Sequence, residues 1–251
     1  MRILAIGDVV GKEGREFLYK QIPYLKATYN YNLLVVNAEN IGNLGRGITL
    51  KIYKELMSNG VHILTMGNWT WGEQELFSFI DNSNVIRPIN FNGVPGSGYK
   101  IINYNNQKVM FINVLGKTFM EPNLDNGFIL TKQLIEKEKA DYIVVDIHAE
   151  ATSEKIALAY YLDGKVNAVF GTHTHVQTAD ERVLDNGTLF ITDIGMTGSS
   201  NGIIGVSKEV VLARFLNGLA VPKVLATGKC QLNAVLLDLD NKTIERINYY
   251  E

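Results

Sequence analysis

Histidine, carboxylate and amide side chains stand directly after several apolar runs of this sequence. The full set is Asp8, Glu39, Asn40, Asn68, His148, His173 and His175. Such groups suit Mn, Fe or Zn better than a metal selected by thiolates. One bridging carboxylate can hold two ions about 3.5 to 4 Å apart, which clamp a phosphoryl group and generate a hydroxide between them. The set therefore predicts a two-metal site for phosphoester chemistry.

Each of these residues also has an ordinary structural explanation. Asp8 suits a turn or a helix cap, Glu39 with Asn40 suits a solvated loop, and Asn68 suits a backbone-bonded turn. His148 taken alone suits a hydrogen-bonded strand end. His173 and His175 are different, because the segment VFGTHTH places two imidazoles at one strand exit. The joint occurrence of suitable ligands at successive strand exits favours the metal site over the separate explanations.

The elements that must position these side chains follow a βαβα rhythm in the first half of the chain. The strand-like runs are RILAIG, LLVVN and VHILTMG, and helix-like GREFLYKQIPYLKAT, TLKIYKELMSNG and GEQELFSFI follow them. Pro23 predicts a kink or a break in the first helix. Ligands of open α/β sheets bind beyond the carboxyl ends of the strands, where loops from several strands converge. The candidate ligands all occupy such positions.

Hairpin patterns indicate antiparallel strands as well. YKIINY and KVMFINVLG are joined by Asn105 and Asn106, which tolerate the left-handed conformations of a tight turn. RVLDNGTLFITD and NAVLLDLDNKTIERINYY carry similar turns, and between the hairpins ILTKQLIEKEKA, DYIVVDI, TSEKIALAYYLDG and AVFG restore the βα rhythm. Two sheets faced by helices explain this mixture best. Residues 1–251 are predicted to form a single domain.

Composition narrows the range of partners and compartments. The chain has 251 residues and a net charge of −2, which argues against a general nucleic-acid surface. The single cysteine, Cys230, cannot form an internal disulfide, so a cytoplasmic location is expected. No run reaches the roughly 18 apolar residues of a membrane span, and no export signal is seen. Assembly as a homo-oligomer stays open.

Other polar residues are expected to have structural roles. His62 lies inside VHILTM and is expected to be a hydrogen-bonded strand histidine. Lys12, Arg15 and Lys155 stand near candidate ligands, and solvated surface is the expected role of each.

Several segments together resemble the YmdB-type family of bacterial metallophosphoesterases, within the calcineurin-like superfamily. These segments are GDVVGKEGR, VVNAEN, TMGNWTW, DIHAEATSEK, GTHTHVQTAD and TDIGMTG, and the resemblance runs nearly end to end. It implies a four-layer αββα sandwich of two mixed sheets flanked by helices. It also implies a centre of two transition-metal ions, Fe first and Mn or Zn as alternatives, with phosphodiesterase activity on cyclic nucleotides.

The resemblance also implies how the ligands divide between the two ions. One ion would be held by Asp8, Glu39, Asn40 and His175. The other would be held by Glu39, Asn68, His148 and His173, so that Glu39 bridges.

The sequence departs from the family pattern at Trp69. The family has Gly-Asn-His there, with the histidine donating a proton to the leaving oxygen, whereas this chain reads Gly67, Asn68, Trp69. An indole N–H donates hydrogen bonds but does not release its proton near neutral pH. General acid catalysis is typically worth about 10²- to 10⁴-fold, so alkoxide leaving groups are expected to be disadvantaged.

The sequence is compatible with three functional hypotheses. The first is a two-metal phosphodiesterase that hydrolyses 2′,3′- or 3′,5′-cyclic nucleotides through a metal-bridging hydroxide. The second is a metal- or nucleotide-binding regulatory protein with little turnover, which the residue Trp69 favours. The third is a phosphomonoesterase or protein phosphatase on the same centre.

Overall fold

Two β-sheets packed face to face form the middle of the molecule. The computed structural model describes residues 1–120, 124–218 and 221–251. The strands are β1 (Arg2–Ile6), β2 (Asp8–Val9), β3 (Leu33–Asn37), β4 (Ile63–Thr65), β5 (Val85–Ile86), β6 (Tyr99–Tyr104), β7 (Gln107–Leu115), β8 (Tyr142–His148), β9 (Ala168–Thr172), β10 (Arg182–Val183), β11 (Leu189–Ile191), β12 (Met196–Ser199), β13 (Cys230–Asp238) and β14 (Thr243–Tyr250). The α-helices are α1 (Gly11–Tyr29), α2 (Leu50–Ser58), α3 (Gly127–Lys137), α4 (Thr152–Leu162) and α5 (Lys208–Asn217).

Both sheets are mixed. The first has the order β2-β12-β13-β1-β3-β4-β5, with β14 beside β13, and the second has the order β10-β11-β9-β8-β7-β6. β1, β3, β4 and β5 are parallel neighbours, and so are β7, β8, β9 and β11. The carboxyl ends of each parallel set therefore share one edge of their sheet, where the loops that carry polar side chains begin.

Three hydrophobic clusters separate the layers. Ile3 and Phe111 belong to the cluster between the two sheets. Leu18 and Leu56 belong to the cluster that α1 and α2 cover, and Leu158 of α4 belongs to the cluster on the outer face of the second sheet. The predicted four-layer αββα sandwich is confirmed.

The predicted hairpins form where the turn residues allow them. Asn105 and Asn106 have φ angles of 48° and 63°, as a tight turn between β6 and β7 requires. β10 pairs with β11 and β13 pairs with β14, both antiparallel, and Lys242 in the second turn has a φ of 52°.

The helix predictions need two corrections. α1 runs unbroken through Pro23, because Phe17, Leu18 and Leu25 on both sides of the proline are packed into the core. The segment GEQELFSFI does not form an α-helix but two short 3₁₀-helices, Gln74–Ser78 and Ile80–Asn82. Within the described ranges, none of the helices combines the length and apolar character that a membrane crossing requires.

Candidate metal centre

The loops at the carboxyl ends of both parallel strand sets meet, and they carry the predicted site residues. Asp8 begins β2, Glu39 and Asn40 follow β3, Asn68 follows β4, His148 ends β8, and His173 and His175 follow β9. The first sheet thus supplies the carboxylates and amides, and the second supplies the imidazoles.

One group of ligand atoms converges on His148. Its Nε2 atom lies 3.1 Å from Oε1 of Glu39, 3.2 Å from Oδ1 of Asn68 and 3.0 Å from Nδ1 of His173. Glu39, His148 and His173 each offer one ligand atom, and these atoms all lie within 4.8 Å of one another. This spacing suits a common metal ion.

Hydrogen bonds behind His148 determine which of its nitrogens carries the proton. The Thr172 hydroxyl donates to Oδ1 of Asp146 at 2.7 Å, and its oxygen lies 2.9 Å from Nδ1 of His148. The oxygen therefore accepts a hydrogen bond from the Nδ1–H group, and the Nε2 lone pair is directed toward Glu39 and Asn68.

His173 has the complementary tautomer. Its Nε2 lies 3.1 Å from Oε2 of Glu150, so the proton on Nε2 is directed to that carboxylate. The Nδ1 lone pair then faces the Nε2 lone pair of His148 at 3.0 Å. Lone pairs converge here without a proton between them, and a cation satisfies such an arrangement.

A second group of acceptors surrounds His175. Its Nδ1 donates to the carbonyl of Ile204 at 2.9 Å, which leaves the Nε2 lone pair 3.0 Å from Oδ1 of Asn40. The Asn40 amide nitrogen donates to the carbonyl of Gly45 at 3.1 Å, so its oxygen faces the ring. Oδ1 of Asp8 lies 3.8 Å from the same Nε2.

Asp8 is the member of the second group whose surroundings fit a bound cation most clearly. Its side chain is fully buried, and Oδ2 accepts a hydrogen bond from the backbone N–H of His173 at 3.1 Å. Oδ1 finds no hydrogen-bond partner among the described residues. Burial raises the pKa of Asp8 to about 7. A bound cation would remove both penalties, so the donor set fits a metal ion.

The imidazoles are neutral at physiological pH, as metal ligands must be. Burial lowers the pKa of His148 to about 4, and burial followed by the neighbouring His148 lowers that of His173 to about 4. Burial also lowers the pKa of His175 and raises that of Glu39. The histidines therefore offer lone pairs without first releasing protons.

Gly67 allows the first group to close. A Cβ atom at this position would lie 2.2 Å from Cδ2 of His148 and 2.3 Å from Oε2 of Glu39. Only glycine lets the loop after β4 approach the ligands this closely.

The segment after β9 is held in an unusual conformation. His173 and His175 have φ angles of 105° and 63°, which are uncommon for side-chain-bearing residues and tend to occur at functional sites. Oδ2 of Asp193 accepts from the backbone N–H of Thr174 at 3.1 Å and from Nζ of Lys155 at 2.7 Å. This buried ion pair supports the segment between the two histidines.

The expectation that Arg15 and Lys155 are solvated surface residues is wrong. Lys155 is buried because Asp193 neutralises it. Arg15 is buried because its guanidinium donates to the carbonyl of Ile41 and, at 2.8 Å, to Oδ1 of Asn43. Arg15 therefore holds the loop that follows Asn40.

The polar residues behind the candidate ligands were not predicted from the sequence. Asn37 donates to Oδ2 of Asp146 and to the hydroxyl of Thr172, both at 3.3 Å. A signal for them was present, because Asn37 and Asp146 interrupt the apolar runs LLVVN and YIVVDIH. Polar residues inside buried strands need partners, and here they meet one another.

Trp69 and His62 lie outside the convergent groups. The backbone N–H of Trp69 donates to Oε2 of Glu39 at 3.1 Å, while 42% of the residue is exposed. His62 is hydrogen-bonded as expected, because its Nδ1 accepts from the backbone N–H of Leu34 at 3.1 Å. His62 stands just before β4, at the amino end of that strand.

The chain is similar to known proteins over nearly its whole length. The YmdB-like protein family matches residues 4–249. A 2′,3′-cyclic-nucleotide 2′-phosphodiesterase of Bacillus subtilis is 46% identical over 256 residues, covering 98% of this chain and 96% of the relative. A protein from Thermus thermophilus has a TM-score of 0.95 at 40% identity, with full coverage of both chains. A phosphatase from Mycoplasma pneumoniae has a TM-score of 0.93 at 35% identity, covering 100% of this chain and 94% of the other. The chain belongs to the YmdB-like protein family.

Proposed function

We propose that this protein is a two-metal phosphodiesterase that hydrolyses small cyclic nucleotides. The observation that carries the proposal is the convergence of unprotonated ligand atoms in two adjacent groups, one around His148 and one around His175. The name of the Bacillus subtilis relative supports a 2′,3′-cyclic nucleotide as the substrate class.

Glu39 is proposed to belong to both groups. Its Oε1 faces His148, and its negative charge is close enough to His175 to offset part of the lowering of that imidazole's pKa by burial. One ion would be held by Asp8, Glu39, Asn40 and His175, and the other by Glu39, Asn68, His148 and His173. The donors suit Fe, Mn and Zn, and ions held there would supply Lewis-acid activation of water and stabilisation of negative charge on the phosphoryl oxygens.

The residues around the ligands keep them ready for binding. Thr172 holds His148 in the tautomer whose Nε2 is free, and Glu150 does the same for Nδ1 of His173. The backbone N–H groups of Trp69 and His173 hold the carboxylates of Glu39 and Asp8 in place. The chain itself therefore fixes ligand orientation, which lowers the cost of binding an ion.

Protonation of the leaving oxygen is the weak step of the reaction in this chain. Breaking the P–O bond leaves an alkoxide that needs a proton, and the indole of Trp69 does not supply one. His62 does not replace it, because it stands before β4, at the amino end of the strand, whereas Asn68 follows the carboxyl end. Slow turnover of ribose cyclic phosphates is therefore expected.

The proposal is tested with metal-loaded wild-type protein and Glu39→Ala, each assayed for metal content and for hydrolysis of 2′,3′-cyclic AMP. Glu39→Ala should lose bound metal and hydrolysis together, because it removes the carboxylate shared by both groups. Wild-type protein without stoichiometric metal, or a variant with unchanged activity, would contradict the proposal.

Trp69 favours a second candidate, a nucleotide-binding regulatory protein on the same metal centre. It predicts saturable binding of a cyclic nucleotide with negligible hydrolysis, even with full metal occupancy. Turnover at an ordinary enzymatic rate, about 1 s⁻¹ or faster, would rule it out.

A phosphomonoesterase is the third candidate, which the description of the Mycoplasma pneumoniae structure as a phosphatase supports. Rates on a phosphate monoester and on a diester, compared at equal metal content, separate it from the first candidate. Preference for the diester is expected.

A further inference from the structure

A cavity opens beside the metal-ligand groups, and none of the roles described above uses it. Its volume is about 360 Å³, and it is lined by Leu44, Gly45, Arg46, Trp69 and Lys223. Sites for small organic ligands usually have volumes of about 300 to 1,000 Å³. The cavity is therefore large enough for part of a nucleotide.

The walls of this cavity combine an aromatic surface with two cations. The Trp69 indole is partly exposed, and Leu44 is 65% exposed beside it. The guanidinium carbon of Arg46 lies 6.0 Å from the Trp69 ring centroid, at the outer limit of a cation–π contact. Lys223 donates to the carbonyl of Gly45 at 3.2 Å. In a chain with a net charge of −2, this arrangement is a local attraction for an aromatic anion.

Short covalent and hydrogen-bonded connections join the cavity to the ligand groups. Trp69 follows Asn68 directly and donates its backbone N–H to Glu39 at 3.1 Å. The carbonyl of Gly45 accepts from both Lys223 and the amide of Asn40, at 3.2 Å and 3.1 Å. The lining of the cavity is therefore connected to both groups of candidate ligands.

The left-handed backbone of Gly45 keeps this cavity open. Its φ is +69°, and a Cβ atom there would lie 2.8 Å from Cδ2 of Leu225 and 3.1 Å from Nζ of Lys223. A side chain at this position would push Lys223 away from the carbonyl that orients it.

We propose that this cavity binds the nucleoside part of the substrate, with the base stacked on Trp69. The positive charges of Arg46 and Lys223 attract the negatively charged phosphate of the same molecule. This inference rests on the proposed function and adds a role for the residue that departs from the family pattern. Every base has an aromatic face, so stacking on Trp69 tolerates different bases. The chain thus has a base platform at the position where its relatives are expected to have a proton donor.

Tryptophan fluorescence tests the stacking without any need for turnover. The chain has two tryptophans, and the second, Trp71, stacks on Phe77 with ring centroids 4.5 Å apart. Trp71→Phe leaves Trp69 as the sole reporter and keeps an aromatic ring against Phe77. Trp69→Phe is the matched control, because it leaves only Trp71.

The titration uses adenosine 3′-monophosphate and, separately, ribose 5-phosphate, with metal-free protein in a chelator. Saturable quenching in Trp71→Phe by the nucleotide alone, and none in Trp69→Phe, is the expected result. Equal responses to the two ligands, or no response of Trp69, would overturn the proposal.

Kinetics on the metal-loaded enzyme give a second measurement. Stacking on an aromatic residue typically contributes about 5- to 150-fold to binding, so Trp69→Ala should raise KM for 2′,3′-cyclic AMP by such a factor. KM for methyl riboside 2,3-cyclic phosphate, which has no base, should stay within about twofold. Phe215→Ala is the control, because Phe215 is an aromatic residue of α5 with 82% exposure.

The two measurements separate this inference from the proposed function. If the loaded protein hydrolyses neither substrate, the proposed function fails while the fluorescence result still decides the base site. If both substrates are hydrolysed and Trp69→Ala affects them equally, the base site is wrong and the proposed function stands.

Discussion

At the scale of single residues, the candidate site depends on protons being directed away from its centre. The N–H of His148 donates a hydrogen bond to Thr172, and that of His173 donates to Glu150. The N–H of His175 donates to the carbonyl of Ile204. The free nitrogens of His148 and His175 then face carboxylate or amide oxygens, and that of His173 faces the free nitrogen of His148. Mutations of residues that hydrogen-bond to the candidate ligands should therefore weaken metal binding almost as much as mutations of the ligands themselves.

Thr172→Val should weaken metal binding while the fold is retained. The hydroxyl that fixes His148 is lost and the shape of the side chain is nearly kept. Loss of such a partner typically costs about 10- to 100-fold in metal affinity. Metal titration of the variant measures the change.

Thr131→Val is the matched control for Thr172→Val. Thr131 is equally buried, but its hydroxyl donates to the carbonyl of Gly127 within α3. It should leave the metal affinity unchanged, and an equal loss in both variants would show that Thr172 acts only through stability.

Trp69→His should restore a proton donor. Hydrolysis of 2′,3′-cyclic AMP should rise in kcat by as much as about 10²- to 10⁴-fold, because its leaving alkoxide needs the proton. An aryl diester should gain little, since a phenolate leaves without protonation. Equal gains on both substrates would mean that the imidazole acts in another way.

At the scale of secondary-structure elements, the strands deliver the ligands and a glycine lets them meet. The loop after β4 passes so close to His148 and Glu39 that Gly67 has no room for a Cβ atom. Gly67→Ala should therefore displace the ligands and abolish metal binding, with a stability cost of about 1 to 3 kcal/mol from overpacking. Metal content and the thermal midpoint Tm measure the two effects.

Gly93→Ala separates these two effects. Gly93 has a φ of +69° and open space around its Cβ position, so alanine adds backbone strain without touching a ligand. This control should lose some stability and keep its metal. Retained metal in Gly67→Ala would contradict the role given to the close approach.

Elements with strong local patterns were predictable, and those without them were not. The βα rhythm, the hairpin at Asn105 and Asn106 and the strand exits follow from residue type and spacing. β2 and β12 were missed because strands of two and four residues have no periodicity of their own. The polar partners of the ligands were also missed, since contacts such as that of Asn37 with Thr172 join residues 135 positions apart.

At the scale of the whole molecule, the candidate site joins the two sheets. The first sheet supplies Asp8, Glu39 and the amides, the second supplies the histidines, and one hydrophobic cluster lies between the sheets. We infer that residues 1–251 unfold as one unit. Metal ions bound to ligands from both sheets would hold the two sheets together more strongly.

Far-UV circular dichroism and tryptophan fluorescence should therefore follow a single unfolding transition. A ligand at 100 times its Kd stabilises a folded protein by about 2.7 kcal/mol, so metal should shift this transition to higher temperature. Both tryptophans lie in loops of the first sheet, whereas circular dichroism reports on both sheets. Transitions that fail to coincide would show that the sheets unfold separately.

The most direct test of the two-ion centre is an anomalous-difference map from crystals grown with Mn or Fe. Two peaks about 3.5 to 4 Å apart are predicted, with Glu39 between them. One should lie against His148 and His173, and the other against His175 and Asp8. A single peak, or peaks that do not contact Glu39, would contradict the shared centre.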